Sequence, residues 1–254
     1  MITLTRKPKH SMIAQAARYF MTRFVTVLVL FLIYLIPQRV AAQQDYVGRF
    51  DVYNGFTWFD SPSANLEERG YHLQAGVNAR TWLALGFDYS VVQGTLTLTP
   101  SLLKPALATQ IDTEVAGLQA LGVLPPGYEV GVRTSSTTQT FAAGPQLEFR
   151  HFRQVTFFVR PSIGAINETA TPHPTDPFTT ALVQQLAPSG KKVDWEPFYG
   201  FGGGVDVNVG RYASLRLQAD FVHNDLFTDI LKSSRNTVRL SVGPAFHFGR
   251  NIAR

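Results

Sequence analysis

The chain of 254 residues contains no cysteine. This excludes a disulfide scaffold, thiolate metal sites, a cysteine nucleophile and a lipoprotein anchor cysteine. Charged residues make up only 16%, fewer than a chain kept disordered by its own polarity would carry. Long apolar runs are also missing. The longest, Phe24–Ile36, covers 13 positions with Thr26 as its polar member, short of the roughly 20 residues a spanning helix needs. Acids are absent from residues 1–42, which hold Arg6, Lys7, Lys9, Arg18, Arg23 and Arg39. The formal charge of +5 resides in this segment, because the remaining residues hold 17 bases against 18 acids. A positive average of that origin gives no reason to expect a nucleic-acid partner.

What the first 42 residues do contain is a basic segment ending at Arg23, the apolar run, and small residues at Val40-Ala41-Ala42. That order is the pattern of a cleavable secretory signal peptide over 1–42, leaving a mature domain at 43–254 that starts at Gln43. Met1, Met12 and Met21 are alternative starts.

The mature chain alternates with period two. Apolar residues share one face in eight segments: from Phe50 through Trp58, Leu73 through Ala79, Leu83 through Val91, Phe141 through Phe149, Val155 through Ile163, Tyr199 through Val207, Ala213 through Phe221, and Val238 through Phe248. Such alternation specifies strands with one face in an apolar medium. The opposite face carries Arg49, Asp51, Asp88, Glu148, Arg150, Arg160, Asp206, Arg216, Asp220 and Arg239, with glycines between them. A soluble sandwich would turn the apolar face inward, and a membrane barrel would turn it to lipid. Connection lengths separate the two. Short joins at Arg80-Thr81, Arg150–Arg153 and Gly210-Arg211 alternate with long ones at Asp60–Arg69, Gln93–Thr137, Asn167–Asp194 and His223–Asn236. Long loops at one end and tight turns at the other mark an eight-stranded antiparallel up-and-down transmembrane β-barrel. Pro145, Pro161 and Pro244 each remove a ladder donor, which predicts a bulge or a place near a membrane boundary.

The last strand ends polar-x-Gly-x-x-aromatic-x-aromatic, with Ser241, Gly243, Phe246 and Phe248 at the defining positions. This resembles the signal by which the barrel-assembly machinery recognises outer-membrane barrels. Six residues, Gly249–Arg254, follow it where many barrels stop. Together with Asp51-Val52-Tyr53-Asn54-Gly55-Phe56, Gly70-Tyr71-His72 through Phe87-Asp88-Tyr89-Ser90, Gly144-Pro145, Gly202-Gly203-Gly204-Val205-Asp206-Val207, Leu215–Phe221 and Val238–Gly243, the chain resembles the small eight-stranded outer-membrane barrel family. That family includes the transmembrane domain of OmpA and the porin-family outer membrane protein beta-barrel domain. The resemblance spans residues 46–249 apart from the long loops. It implies the fold, the bacterial outer membrane as compartment and its lipid as surroundings, and it leaves function open.

Chemistry has few candidates. The inward charges balance, five acids against five arginines, which predicts a paired network plugging the lumen, since an eight-stranded barrel is only wide enough for its own side chains. A narrow pore along the same residues is the alternative. Gly200–Gly204 lacks the Lys-Ser/Thr and helix of a phosphate loop. The histidines have no second ligand at metal spacing, so neither metal nor cofactor is expected. His223-Asn224-Asp225 is similar to the histidine region of outer-membrane lipid A deacylases, but Asp225 stands where the serine would be; no catalytic residue is assigned, and a lipid-directed enzyme is the second alternative. In the second long loop, Leu102-Leu103, Ala106-Leu107, Ile111, Val115, Leu118 and Leu121 recur at helical spacing until Pro125-Pro126-Gly127, and Phe178, Ala181-Leu182 and Leu186 form a weaker copy in the third. These segments either cap the barrel mouth or offer a surface site for an apolar ligand or an extracellular protein. The reading is a structural or surface-interaction role through the loops.

Overall fold

The computed structural model describes residues 44–253. Eight strands close on themselves in sequence order, every neighbour antiparallel: β1 (Gly48–Ser61), β2 (Leu66–Arg80), β3 (Leu83–Leu98), β4 (Val132–Phe149), β5 (Val155–His173), β6 (Lys192–Asn208), β7 (Ala213–Asn224) and β8 (Arg235–Asn251). Two helices lie between strands, α1 (Pro105–Ala120) after β3 and α2 (Pro177–Leu186) after β5. The expected signal peptide, its cleavage site and the alternative starts lie outside the described residues.

Burial alternates as the sequence pattern requires, with polarity inverted relative to a soluble barrel. Phe56, Leu73, Leu85, Phe87, Ile163, Phe201, Phe221 and Val242 are exposed on the outer surface, while Asp51, Asp88, Glu148, Arg160, Asp206, Arg216, Asp220 and Arg239 are buried inside. An apolar exterior around a charged interior is stable where the surrounding solvent is hydrocarbon, so the barrel spans a membrane. A tilted strand needs about 9–11 residues to cross a bilayer. The 18 residues of β4 and 19 of β5 overshoot that length. Above Val91 the outward positions of β3 turn polar, at Gln93, Thr95 and Thr97. The barrel wall therefore continues beyond the hydrocarbon at the loop end.

This overshoot corrects the expected loop boundaries. Residues 60–69 are mostly strand, closed by a short 3-10 turn at Pro62–Ala64 with Asn65 in the left-handed conformation. The other loop-end connections shrink to 99–131, 174–191 and 225–234. On β3 and β4 the outward positions of these strand ends are polar, at Gln93, Thr95 and Thr97 and at Arg133, Ser135 and Thr137, so no apolar alternation marks them.

The three prolines produce no bulge. Pro145 and Pro161 stand opposite one another, at a gap in the β4–β5 ladder between Ala143↔Ile163 and Leu147↔Val159, and the register is the same on both sides. Placing both missing donors at one site costs one interruption instead of two. Pro244 sits at a similar gap against β1, between Tyr53↔Ala245 and Phe56↔Val242.

Arg49 is a second correction. It was expected in the lumen with Asp51, but it stands exposed near the start of β1, where the β1–β8 register shifts between Gly48 and Phe50. A bulge displaces one residue from the alternation, and period-two reasoning cannot see it.

Candidate functional site

The lumen is filled by ion pairs arranged in tiers. Nearest the turns, Arg150 lies just past the end of β4 and pairs with Glu148, donating also to the Thr81 carbonyl at 3.1 Å and Gln44 Oε1 at 3.0 Å. Glu148 accepts from Gln146 Nε2 at 2.8 Å, and Gln146 Oε1 accepts from Gln74 at 3.1 Å. Gln74 Oε1 then accepts from Arg216 Nη1 at 2.9 Å. Arg216 meets Asp206 in a two-pronged contact, Nε to Oδ1 at 2.7 Å and Nη2 to Oδ2 at 2.8 Å. Asp51 Oδ2 is 3.5 Å from the same guanidinium. The chain of donors and acceptors crosses the lumen without a break.

Asp88 is the hub of the middle tier. Its Oδ2 lies 2.8 Å from Arg239 Nη2, 3.0 Å from Arg160 Nη1 and 2.9 Å from His72 Nε2. Arg239 reaches on to Asp220 Oδ2 at 2.8 Å, which also accepts from Gln218. His72 Nδ1 is 3.1 Å from Ser241 Oγ, and that hydroxyl is 2.9 Å from Thr57. Glycine makes room for these carboxylates. A Cβ on Gly202 would fall 1.8 Å from Asp220 Oδ1, and one on Gly76 2.0 Å from Asp51 Oδ1. Gly202 belongs to the glycine run in β6, whose residues are all extended strand and form no phosphate loop.

A third tier, at the loop end, escaped sequence reasoning. Glu168 pairs with Arg235, and Ser136 Oγ stands 2.8 Å from Glu68 Oε1 and 3.0 Å from Glu168 Oε1. These residues fell in the assumed long loops, yet all four are buried inside the barrel. Ser136 shares its inward face with Val132, Thr134 and Thr138 and alternates with Arg133, Ser135 and Thr137, a pattern with no hydrophobic signal. Charge is also not the whole filling. Ile166, Phe198 and Val222 form an apolar cluster inside the barrel, completed by Leu226 and Phe227 from the β7–β8 loop.

Above the lumen the loops make a cap. Leu103, Ile111, Val115 and Val130 form its core, with Leu107, Leu124, Tyr128, Phe178 and Leu182 packed against them. The helix after β3 is the one expected from spacing. The helix after β5 starts with a capping box in which the Asp176 carboxylate accepts from the Thr179 amide at 3.0 Å. Burial pushes the Asp176 carboxyl upward, but the Thr179 amide and hydroxyl outweigh it and hold it below its ordinary range. Backbone bonds tie the β3–β4 loop to the β7–β8 loop, Lys104 N to the Ile230 carbonyl at 2.8 Å and Lys232 N to the Leu102 carbonyl at 3.1 Å. Between cap and barrel mouth lies a cavity of about 90 Å³ lined by Leu98, Leu103, Ile111, Leu182, Phe227 and Leu231 among others, with Glu168 and Arg235 at its edge.

The assembly-signal residues divide by face. Phe246 and Phe248 are exposed to the membrane side, whereas Ser241 and Gly243 face the lumen, and β8 runs past Phe248 to Asn251. His223 lies outside the barrel with Nδ1 2.7 Å from Asn236 Oδ1 and its ring against Tyr199. Among the described residues no group of three His, Cys, Asp or Glu is placed to hold a metal ion.

No family model and no curated protein matches the chain. Solved structures similar to it include Neisserial surface protein A (10% identity, 78% of this chain and 96% of that one, TM-score 0.47). The outer membrane protein OprG from Pseudomonas aeruginosa aligns over 83% of this chain and 100% of its own at 8% identity and TM-score 0.45. Ail, the attachment invasion locus protein of Yersinia pestis, aligns over 81% and 100% at 8% identity and TM-score 0.44. By strand number, closure and inverted polarity, the chain is an eight-stranded antiparallel transmembrane β-barrel.

Proposed function

We propose that this is a surface-binding barrel of the bacterial outer membrane, exported by its signal peptide, whose looped cap takes up a small apolar ligand. The observation that carries this reading is the apolar cavity under the cap. Cavities lined by leucine, isoleucine and phenylalanine stay dry, and one of about 150 Å³ accepts benzene. At about 90 Å³ this one suits a short alkyl chain, or a single ring if the cap yields slightly. The lumen below favours binding over conduction: Arg160, Arg216 and Arg239 are each at most 2% exposed and stand in the lumen against Asp88, Asp206 and Asp220. Orientation follows export: both ends of the barrel lie at the turn end, so the cap faces outward.

The test is titration of the folded barrel with benzene and with hexane, following cap methyl groups by NMR. Saturable shifts confined to Leu103, Leu182 and Leu231, abolished by Val183→Phe, are expected. Absence of any saturable shift with either probe overturns the reading.

A further inference from the structure

Two turns at the turn end of the barrel are stitched to one another. Asn208, the last residue of β6, donates its amide to the Gln154 carbonyl at 2.8 Å and its side-chain Nδ2 to the Arg153 carbonyl at 3.1 Å. The next turn closes on itself, the Val209 and Gly210 amides both reaching the Ala213 carbonyl. Arg153 and Arg211, one from each turn, line a single open pocket of about 620 Å³ at the turn-end mouth of the lumen. Arg150 and His247 line it too, as do Asp45 and Tyr46 from the segment that enters β1. That segment is pinned by Asn251, whose Nδ2 donates to the Asp45 carbonyl and whose Oδ1 accepts from the Val47 amide, each at 2.9 Å. The Tyr46 hydroxyl donates to the Gly249 carbonyl at 2.9 Å, and the Arg211 guanidinium lies 4.5 Å from the Tyr46 ring centre.

The charges of this pocket do not balance. Arg150 is answered by Glu148, and His247 is engaged with Ser214 Oγ at 3.0 Å. Arg153, Arg211 and Asp45 stand in no ion pair among the described residues. Two free guanidiniums therefore share the cavity with one free carboxylate. Water answers an isolated surface arginine at little cost. A concavity with an excess of one sign focuses its field and concentrates counter-ions. Guanidiniums from two turns also present planar donor forks that match a carboxylate or a phosphate. The backbone carrying them is tied down in advance, so little ordering is left to oppose binding.

We propose that this pocket binds a small solute through an oxyanion, the carboxylate or phosphate that Arg153 and Arg211 close upon. Asp45 sets the limit to the negative charge accepted, because it cancels one of the two free cations. The site is separate from the cavity under the cap and lies at the opposite end of the barrel.

The test is titration of the folded barrel, in an uncharged detergent, with inorganic phosphate and separately with N-acetylglycine. N-acetylglycine amide is the neutral control. NMR follows the side-chain Nε–H signals of Arg153 and Arg211 and the backbone amides of Tyr46 and Gly210. Saturable shifts with at least one anion, and none with the amide, are expected, and the anion that binds more tightly names the group. Arg153→Gln or Arg211→Gln alone should weaken binding about threefold, and the two together about tenfold, read at the backbone amides. Both residues lie exposed on turns, so the urea midpoint of the double variant should match that of the unaltered barrel. Asp45→Asn should tighten binding about threefold. Absence of a saturable shift with either anion overturns the proposal. So does binding that survives both arginine replacements, or that the neutral amide reproduces.

Discussion

Arg216 and Asp206 are opposed residues on neighbouring strands, and their side chains close a two-pronged ion pair, 2.7 and 2.8 Å, inside the lumen. Both are within 2% of full burial. The pair sits between Gln74, which accepts from Arg216, and the Tyr53 and Phe158 rings that the guanidinium overlies.

Removing one partner therefore leaves a desolvated charge. Arg216→Met should destabilise the barrel by about 3–5 kcal/mol, and Arg216→Met with Asp206→Leu should recover much of that loss. Urea unfolding in detergent measures both. The same Arg216 replacement combined with Asp220→Leu should recover little, because Asp220 belongs to Arg239.

That pairing was half legible in the sequence. Period two placed Arg216, Asp206 and Asp220 on one face but could not say which strands' residues stand level, since register is set by turns and strand shear. The fold itself was legible because a lipid-facing surface demands an apolar residue at nearly every second position. Legibility stopped where that demand stopped. Glu68, Glu168 and Arg235 alternate with polar residues beyond the hydrocarbon, and nothing in their neighbourhood distinguishes strand from loop. Arg49, expected inside, stands exposed at the end of the barrel, where the β1–β8 register shifts by one residue. Phe227, which plugs the mouth from a loop at φ 57°, has no periodic signal at all.

The boundary of the hydrocarbon can be probed on the outer wall. Leu217 faces out in the middle of β7, and Leu217→Arg should cost about 2–4 kcal/mol. Thr95 also faces out, but past the switch to polar residues on β3, so Thr95→Arg should change stability by less than about 1 kcal/mol. The comparison must be made on the outer face. Ser241 lies inside against Thr57 and His72, and an arginine there has no space to enter.

The cap carries its own pH dependence. Asp176 holds the first turn of α2, and its carboxyl sits below its unfolded range. A lowered folded value means the contribution is complete above the ordinary carboxylate range, near about 4, and is lost as pH falls through the lower folded value. Asp176→Ala should remove it at neutral pH, costing the helix about 1 kcal/mol. Hydrogen exchange at the amides of Thr179 and Thr180 is the measurement. Lower protection factors at both, corrected for the intrinsic pH dependence of amide exchange, are expected in the variant at pH 7 and in the wild type once pH falls below the folded value of Asp176, with β-strand amides unchanged.

Conduction tests the proposed plug at its hub. Asp88 gathers Arg160, Arg239 and His72 around one carboxylate, and Arg239 bridges onward to Asp220. While these contacts stand, the guanidiniums occupy the section that ions would have to cross. The wild type should show little steady conductance in planar bilayers. Arg239→Ala removes one of the two guanidiniums of this tier and frees Asp88 and Asp220 to draw water in. That variant should open brief cation-selective events, because two carboxylates then line a section that has lost a positive charge. Asp88→Ala should open it too but with weaker cation preference, since it leaves Arg160 and Arg239 beside Asp220. Large, stable openings in the wild type, unchanged by either substitution, would show that ions pass through open water beside these charges, and the narrow-pore alternative would then replace the plug.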